Sequence, residues 1–348
     1  MTRPIRRALI TGVGGQDGAL LAARLLDAGV EVIGTHRPQH AGEPWRLREL
    51  GIDADARLRR VALDPADARA CLDLVAALAP DAVFHLAGQS RVADSFADPQ
   101  ASLRANGLSA VNLLEAVRAG APHAHLVLAT SAEIFGAPAH APQDETTPLA
   151  PRTPYGLSKL VAHVAAGSWR ASYGVRASSA ILFNHESELR DIAFVTRKLS
   201  RAVARIVFGR ETTVALGNLD ARRDFGYAPD HVAAMAAMAA RARGDDYVLA
   251  TGVAASIRDF AAAAFAAAGI ALDWSGEGAD EIGVEHVSGR VRVRVDPALL
   301  RPVDAPLLVG DATRARRELG FAPTLDLAGL ARRMVEADLA RERAQASA

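Results

Sequence analysis

The stretch "TPYGLSKL" at 153–160 sets Tyr155 and Lys159 four residues apart, in a chain that spends only two lysines among its 40 basic residues. Helical spacing of four puts both side chains on one face. A free phenol titrates near ~10, too high for a base at neutral pH, and a neighbouring cation lowers that value by stabilising the phenolate. Lysine does this as a compact point charge whose donors can also reach ribose hydroxyls, whereas a planar guanidinium makes a forked contact. The pair therefore suits removal of a proton from an alcohol. The same spacing also arises by chance, as a packed ring beside a solvated charge, and the scarcity of lysine elsewhere favours the chemical reading.

A second chemical feature is "TGVGGQDG" at 11–18, where Gly12, Gly15 and Gly18 recur every third residue. Glycines at a strand-to-helix turn let the backbone fold tightly and approach a pyrophosphate, which the helix N-terminus favours. The same turn also joins strand to helix for purely structural reasons. The following strand ends in Thr35, His36 and Arg37 with no carboxylate for a ribose 2′-hydroxyl, and Arg37 suits a 2′-phosphate. The cofactor expected is NADP; the plainer alternative leaves Arg37 as a solvated surface charge.

These features need a scaffold, and the apolar runs supply one. Residues 7–12, 30–36, 57–64, 81–88, 124–131 and 176–184 read as buried strands with helical periodicity between them. That order predicts an α/β fold, a Rossmann-like doubly wound parallel sheet. Beyond "NHES" at 184–187 the pattern turns irregular up to "VRVRVDP" at 291–297, which predicts a smaller, discontinuous C-terminal substrate lobe. The expected division is an NADP-binding domain over 1–184, with about 217–255 and 299–318 returning to it, and a second lobe over most of 185–345. The alanine-rich stretches 233–243 and 260–271 read as packed helices, and the tail after Leu339 as frayed.

Composition narrows the class. Forty acidic residues balance 40 basic ones, which gives no global pull towards nucleic acid or a membrane surface. A single cysteine, Cys71, rules out an internal disulfide framework, and the N-terminus lacks a signal-peptide pattern, so a reducing cytoplasm is expected. No Cys, His and carboxylate cluster has metal-ligand spacing, and no metal is expected. His85 and His185, near strand ends, are read as hydrogen-bonded structural residues.

Through "TGVGGQDG", "HLAGQS" (85–90) and "YGLSK" (155–159) the chain resembles the extended short-chain dehydrogenase/reductase family. Within it the chain is similar to the GDP-mannose 4,6-dehydratases, through "SAEIFG", "DETTPLAPRTPYGLSK", "ILFNHES", "FVTRKLSRAVARI", "LGNLDARRDFGYAPDHVAAM" and "RPVDAPLLVGD". The resemblance implies a GDP-sugar substrate, GDP-mannose foremost, and dehydration to a 4-keto-6-deoxy sugar. It assigns catalysis to Ser131, Glu133, Tyr155 and Lys159, with Tyr155 taking the 4-hydroxyl proton and Glu133 acting at C5 and C6. It places Gly12, Gly15, Gln16, Asp17, Gly18, Arg37, Asp64, Leu86, Ala87, Tyr155 and Lys159 at the cofactor. It places Ser90, Asn184, Glu186, Lys198, Gly217, Arg223, Arg301 and Asp304 at the nucleotide sugar.

Several positions depart from the family pattern. Ser131, Ala132 and Phe135 stand where Thr, Ser and Tyr are usual, and "NHESELRD" stands for "NHESPRRG". An Arg/Ser-rich loop that binds NADP across a tetramer interface is replaced by "RPQHAGEPWRLREL" at 37–50. The expected assembly is accordingly a homodimer, packed through the helix that begins near Tyr155 and the helix expected around 98–119, with a tetramer as the alternative. Other readings left open are a GDP-heptose 4,6-dehydratase, a 4-ketosugar reductase or epimerase, and a non-catalytic dinucleotide-binding module. Glu133 weighs against the reductase, which has no C5 proton to remove.

Overall fold

Period-two alternation along the strands creates two cores, one on each face of a sheet. In the computed structural model, which describes residues 3–38, 44–300 and 307–346, strand β1 (Arg7–Thr11) sends Ala8 and Ile10 into one core and Leu9 into the other. Strands β2 (Glu31–His36), β4 (Ala82–His85) and β5 (His125–Ala129) divide in the same way: Val32, Phe84 and Val127 against Ile33, Val83 and Leu126. With β3 (Leu58–Ala62), β6 (Arg176–Leu182) and β7 (Asp246–Leu249) they form a seven-stranded sheet in the order β7-β6-β5-β4-β1-β2-β3. Every pairing in it is parallel. A parallel sheet needs both faces covered. Helix α1 (Gln16–Asp27) covers one face, and α3 (Ala68–Leu78), α4 (Ser109–Gly120) and α5 (Pro154–Tyr173) cover the other. Between α1 and α3 lies the short helix α2 (Trp45–Glu49). The α/β expectation of a doubly wound parallel sheet is borne out, and each expected strand of the first half falls within one to three residues of its run.

The strand order reverses beside β1, where β2 lies on one side and β4 on the other. The carboxyl ends of strands at such a switch point leave the crevice where α/β sheets bind ligands. The glycine turn follows β1, "HLAGQS" begins at the end of β4, and Ser131 and Glu133 follow β5.

The chain divides into two compact units: residues 1–183, 228–250 and 310–322, and residues 184–227, 251–309 and 323–348. The segments that rejoin the first unit are shorter than the expected 217–255 and 299–318, because strands Arg222–Tyr227 and Leu307–Leu308 pair in a sheet of the second. There, Asn184–Glu186 and Leu307–Leu308 pair in parallel with Arg222–Tyr227, and Ala254–Ser256 pairs antiparallel. A second sheet joins Leu272–Ser275, Ile282–Glu285, Val291–Val295 and Val214–Leu216. Helices Val195–Val207, Ile257–Ala267 and Leu327–Ala346 meet around Leu199, Val203, Phe260, Ala264, Met334 and Val335. Ser256 and Asp259 close a capping box that starts the second of these.

Two expectations need correction. The tail does not fray after Leu339: the last helix continues to Ala346, because buried Glu342 accepts a hydrogen bond from Arg210 and lies 3.6 Å from Arg205. The helix expected around 98–119 is not continuous either, since Pro99–Ser102 passes into a π-helical stretch, Leu103–Leu108, before α4. The wide turn carries Asn106, whose side chain is satisfied outside the helix. Such bulges recur where a side chain must be placed rather than a helix lengthened.

The last helix is fastened by a buried ion pair, Arg197 Nη2 to Asp338 Oδ1 at 2.7 Å, while Ser200 donates to Asp338 Oδ2 at 2.6 Å. Removing one member strands the other in a dry environment. Asp338→Ala should therefore destabilise the second unit by ~3–5 kcal/mol in urea unfolding. A loss below about 1 kcal/mol would mean that the pair behaves like a surface ion pair.

Candidate active site

The start of α5 is fixed by its own sequence. Thr153 caps it, accepting from the Gly156 amide at 2.9 Å, with Pro154 at the first helical position, and Gly174 ends it in the left-handed conformation. This first turn lies directly on the loop after β5. A Cβ at Gly156 would stand 2.6 Å from the Glu133 carbonyl oxygen, so only glycine permits the approach. Ser131 caps the single 3₁₀ turn Ala132–Ile134, its Oγ accepting from the Glu133 amide at 3.2 Å. Ser131, Glu133 and Tyr155 are thereby carried on adjoining backbone. Lys159, one turn further along α5, donates from Nζ to the Ala129 carbonyl at the end of β5, 2.9 Å away. Its ammonium sits 5.8 Å from the centroid of the Tyr155 ring.

Lys159 is half-buried, and desolvation lowers the pKa of its ammonium to about 8; Asp17 partly opposes the shift. Gly88 is the near wall, since a Cβ there would stand 3.8 Å from Nζ and 2.4 Å from Asn106 Oδ1. Asn106 in turn donates to the Gln89 carbonyl at 3.0 Å and to Ser158 Oγ at 2.9 Å, and accepts from the Gln89 amide at 3.0 Å. One carboxamide thus ties the loop after β4 to α5.

The glycine turn is equally tight. Gly12 has φ +76°, and a Cβ on it would lie 2.8 Å from Ala87 Cα; one on Gly18 would lie 2.3 Å from the Gly12 carbonyl oxygen. Gly15 begins α1 with no side-chain cap, so the first amides of the helix keep their affinity for an anion. Gln16, Asp17, Leu86 and Ala87 stand in or beside this turn, and Arg37, Asp64, Ala87, Gly88, Gln89 and Arg104 line a neighbouring cleft of about 320 Å³. His85 links the strand ends: its Nδ1 is 2.8 Å from Thr11 Oγ1 and its Nε2 is 2.9 Å from Ser109 Oγ. Ser109 donates its own hydroxyl to the Ala105 carbonyl, so the ring donates from Nε2 and accepts at Nδ1. Burial pushes its pKa down to about 3, and the neutral imidazole is a strut between strands. A strut was the role expected of it.

Of the residues assigned to the nucleotide sugar, exposed Ser90 belongs to the first unit and Asn184, Glu186, Lys198, Gly217 and Arg223 to the second. Asn184 and Arg223 lie on neighbouring strands, with Asn184 opposite Phe225. Glu186 is buried and engaged, with Arg190 Nε at 3.0 Å and Thr196 Oγ1 donating at 2.6 Å. A Cβ on Gly217 would meet the Leu299 carbonyl at 2.7 Å, and burial lowers the Lys198 pKa. In the altered "ELRD" segment, Glu188 pairs with Arg333 at 3.2 Å and Leu189 is buried. Arg301 and Asp304 lie outside the described residues.

Known proteins bear on this arrangement. The profile of the GDP-mannose 4,6 dehydratase family matches residues 9–334. The GDP-mannose 4,6-dehydratase of Sinorhizobium fredii (strain HH103) is 41% identical over 337 residues, 95% of this chain and 96% of that protein. The chain belongs to the GDP-mannose 4,6-dehydratase family. That family consists of enzymes, hydro-lyases, and the resemblance drawn from the motifs holds across nearly the whole chain. Its fold recurs in RMD from Pseudomonas aeruginosa complexed with NADPH, with TM-score 0.75 and 24% identity over 97% of this chain and 99% of that one. It recurs also in DesIV, a dTDP-glucose 4,6-dehydratase from Streptomyces venezuelae with NAD and TYD bound, with TM-score 0.80 and 24% identity over 97% and 98%.

Within this family member the motifs did not single out Asn106, Ser158, Thr11 or Arg104, which frame the same crevice. The run "SLRANGLSAVNLL" holds Arg104, Ser109 and Asn112 as well as Asn106, so no local pattern set Asn106 apart. The desolvated ammonium gives a direct test. The folded protein releases the Lys159 proton near pH 8 and an unfolded chain releases it near 10.5, so between these values unfolding takes up a proton and stability rises with pH. The stability advantage of Lys159→Met over the wild type should be greatest below pH 8 and shrink from pH 8 to 10 in chemical denaturation. A difference independent of pH would show that the ammonium is not desolvated.

Proposed function

We propose that this protein converts GDP-mannose to GDP-4-keto-6-deoxymannose with loss of water, using NADP bound in the first unit and holding the nucleotide sugar with residues of the second. The observation that carries the proposal is the contact of α5 with the loop after β5, where Gly156 lets Tyr155 and Lys159 adjoin Ser131 and Glu133. The first unit fits a dinucleotide, because Gly12 and Gly18 clear the turn and the uncapped start of α1 faces an anion's place. Solved relatives carry either nicotinamide form, NADPH in RMD and NAD in DesIV. Here β2 ends in Thr35 and His36 followed by Arg37, without a carboxylate, which favours NADP.

The glycine turn at Gly12, Gly15 and Gly18 would hold the dinucleotide, which when bound would supply a reversible hydride acceptor for C4 and C6 of the sugar. Tyr155 takes the proton of the 4-hydroxyl, Ser131 hydrogen-bonds the same oxygen, and the Lys159 ammonium favours the phenolate. The resulting 4-ketone acidifies the C5 proton. Glu133 removes that proton and delivers one to the departing C6 oxygen, so C6 loses water. Ala132 has no proton to give, which leaves both jobs to Glu133. C5 then takes a proton from solvent, which balances the 4-hydroxyl proton given up through Tyr155, and no net cofactor is consumed. Exposed Leu103, Leu108, Leu157 and Val164, on the π-helical stretch and α5, support a homodimer through these elements.

The test is separation of the two chemical steps. Tyr155→Phe should lose turnover by at least about a hundredfold with cofactor binding retained. Glu133→Gln should lose dehydration by a similar factor while reduced cofactor accumulates, and wild-type product made in deuterated water should carry deuterium at C5. Wild-type dehydration by Glu133→Gln, or a product that keeps its original C5 hydrogen, would remove Glu133 from the elimination.

A further inference from the structure

Tyr155 and Lys159 begin a spacing of four that continues to His163, so the face of α5 that carries the reacting pair also carries an imidazole for which the chemistry has no use. His163 Nδ1 lies 2.9 Å from Ser179 Oγ on β6, and Ser179 Oγ lies 2.8 Å from Oγ1 of Thr130, the residue just before Ser131. Thr130 and Ser179 are both buried. Thr130 Oγ1 also stands 2.9 Å from the Ala180 carbonyl oxygen. A carbonyl only accepts, so the Thr130 hydroxyl donates to Ala180; Thr130 then accepts from Ser179, and Ser179 accepts from His163. That order puts a proton on His163 Nδ1. It also ends on a carbonyl, so the chain passes no proton to the reacting groups, and His163 is neither their acid nor their base.

We propose that His163 is a positioning residue: through Ser179 it holds the side chain of Thr130, and so sets the angle at which Ser131 meets the 4-oxygen of the sugar. The inference rests on the dehydratase reading above, which supplies that oxygen. The Thr130 amide donates to the Ala180 carbonyl at 2.9 Å, which places the nitrogen of the residue but not its rotation. The hydroxyl chain fixes the direction of Cβ as well. With both set, the tetrahedral Cα leaves one direction for the bond that leads on to Ser131. From there the backbone runs extended through Ser131, φ −152° and ψ 148°, into the 3₁₀ turn that carries Glu133. His163 thus acts from the middle of α5 on the same loop that Lys159 grips at Ala129.

The tautomer is read without turnover. Desolvation lowers the pKa of His163, so above about pH 7 the ring is neutral, and nitrogen NMR of the wild-type chain should show the Nδ1–H form. The Nε2–H form would overturn the chain of donors. Turnover of GDP-mannose with NADP is then measured for His163→Leu, which removes the donor, and for His163→Asn, whose amide restores one near the place of Nδ1, each with Ser131 and with Ser131→Ala. His163→Leu should lower kcat roughly tenfold and change KM less than about twofold, because misplacement beside the reacting atoms costs rate rather than binding. His163→Asn should recover most of that loss. In the Ser131→Ala background His163→Leu should cost less than about twofold more, since residues that act through one another are not additive. A further loss of about tenfold in that background, a raised KM with kcat unchanged, or a wild-type kcat in His163→Leu would overturn the positioning role and leave the dehydratase reading intact. Wild-type protein that leaves GDP-mannose unchanged would overturn both.

Discussion

The hydrogen bond from Lys159 Nζ to the Ala129 carbonyl, 2.9 Å long, joins the two elements that the chemistry needs held in register. Ala129 ends β5, and the next residues, Thr130 and Ser131, lead straight to Glu133. Lys159 belongs to α5, which carries Tyr155 one turn earlier. The bond is directional, whereas the apolar packing around it sets no particular register. An arginine would carry its charge further out on a planar fork, and the enclosed space beside Gly88 suits the smaller ammonium.

Around that bond the molecule trades side chains for closeness. Gly12 lies against Ala87, Gly18 against Gly12, Gly88 against Asn106, and Gly156 against Glu133, each at a separation no Cβ could occupy. Polar groups buried by this closeness are satisfied from several elements at once: Thr11 and Ser109 take the two nitrogens of His85, and Asn106 bridges Gln89 and Ser158. A buried network with every member paired is rigid, and a missing partner is costly. The same economy operates in the second unit, where Asp338 gathers Arg197, Ser200 and Arg341.

Strands were legible because a parallel, doubly covered sheet demands nearly continuous apolar runs, as in "RALIT" and "HLVLA". Tyr155 and Lys159 were legible because helical spacing and an unusual residue choice coincided. Contacts between residues distant in sequence were not: Arg46 to Gly14 spans 32 positions and Asn106 to Ser158 spans 52, and no local pattern encodes them. The π-helical stretch was invisible for the same reason, since its cause is the outward demand on Asn106. The order of the tail was hidden because Glu342 reads as a surface charge until Arg205 and Arg210 are seen beside it.

The central claim is that one crevice removes a hydride and a proton, expels water, and restores the hydride to the same sugar. GDP-mannose deuterated at C4 puts that claim to its most direct test, with the product read by NMR and mass spectrometry. The account predicts deuterium at C6 of a product that has lost one water, with no net formation of reduced cofactor. Deuterium lost to the cofactor pool, or a product that keeps its C6 oxygen, would contradict it.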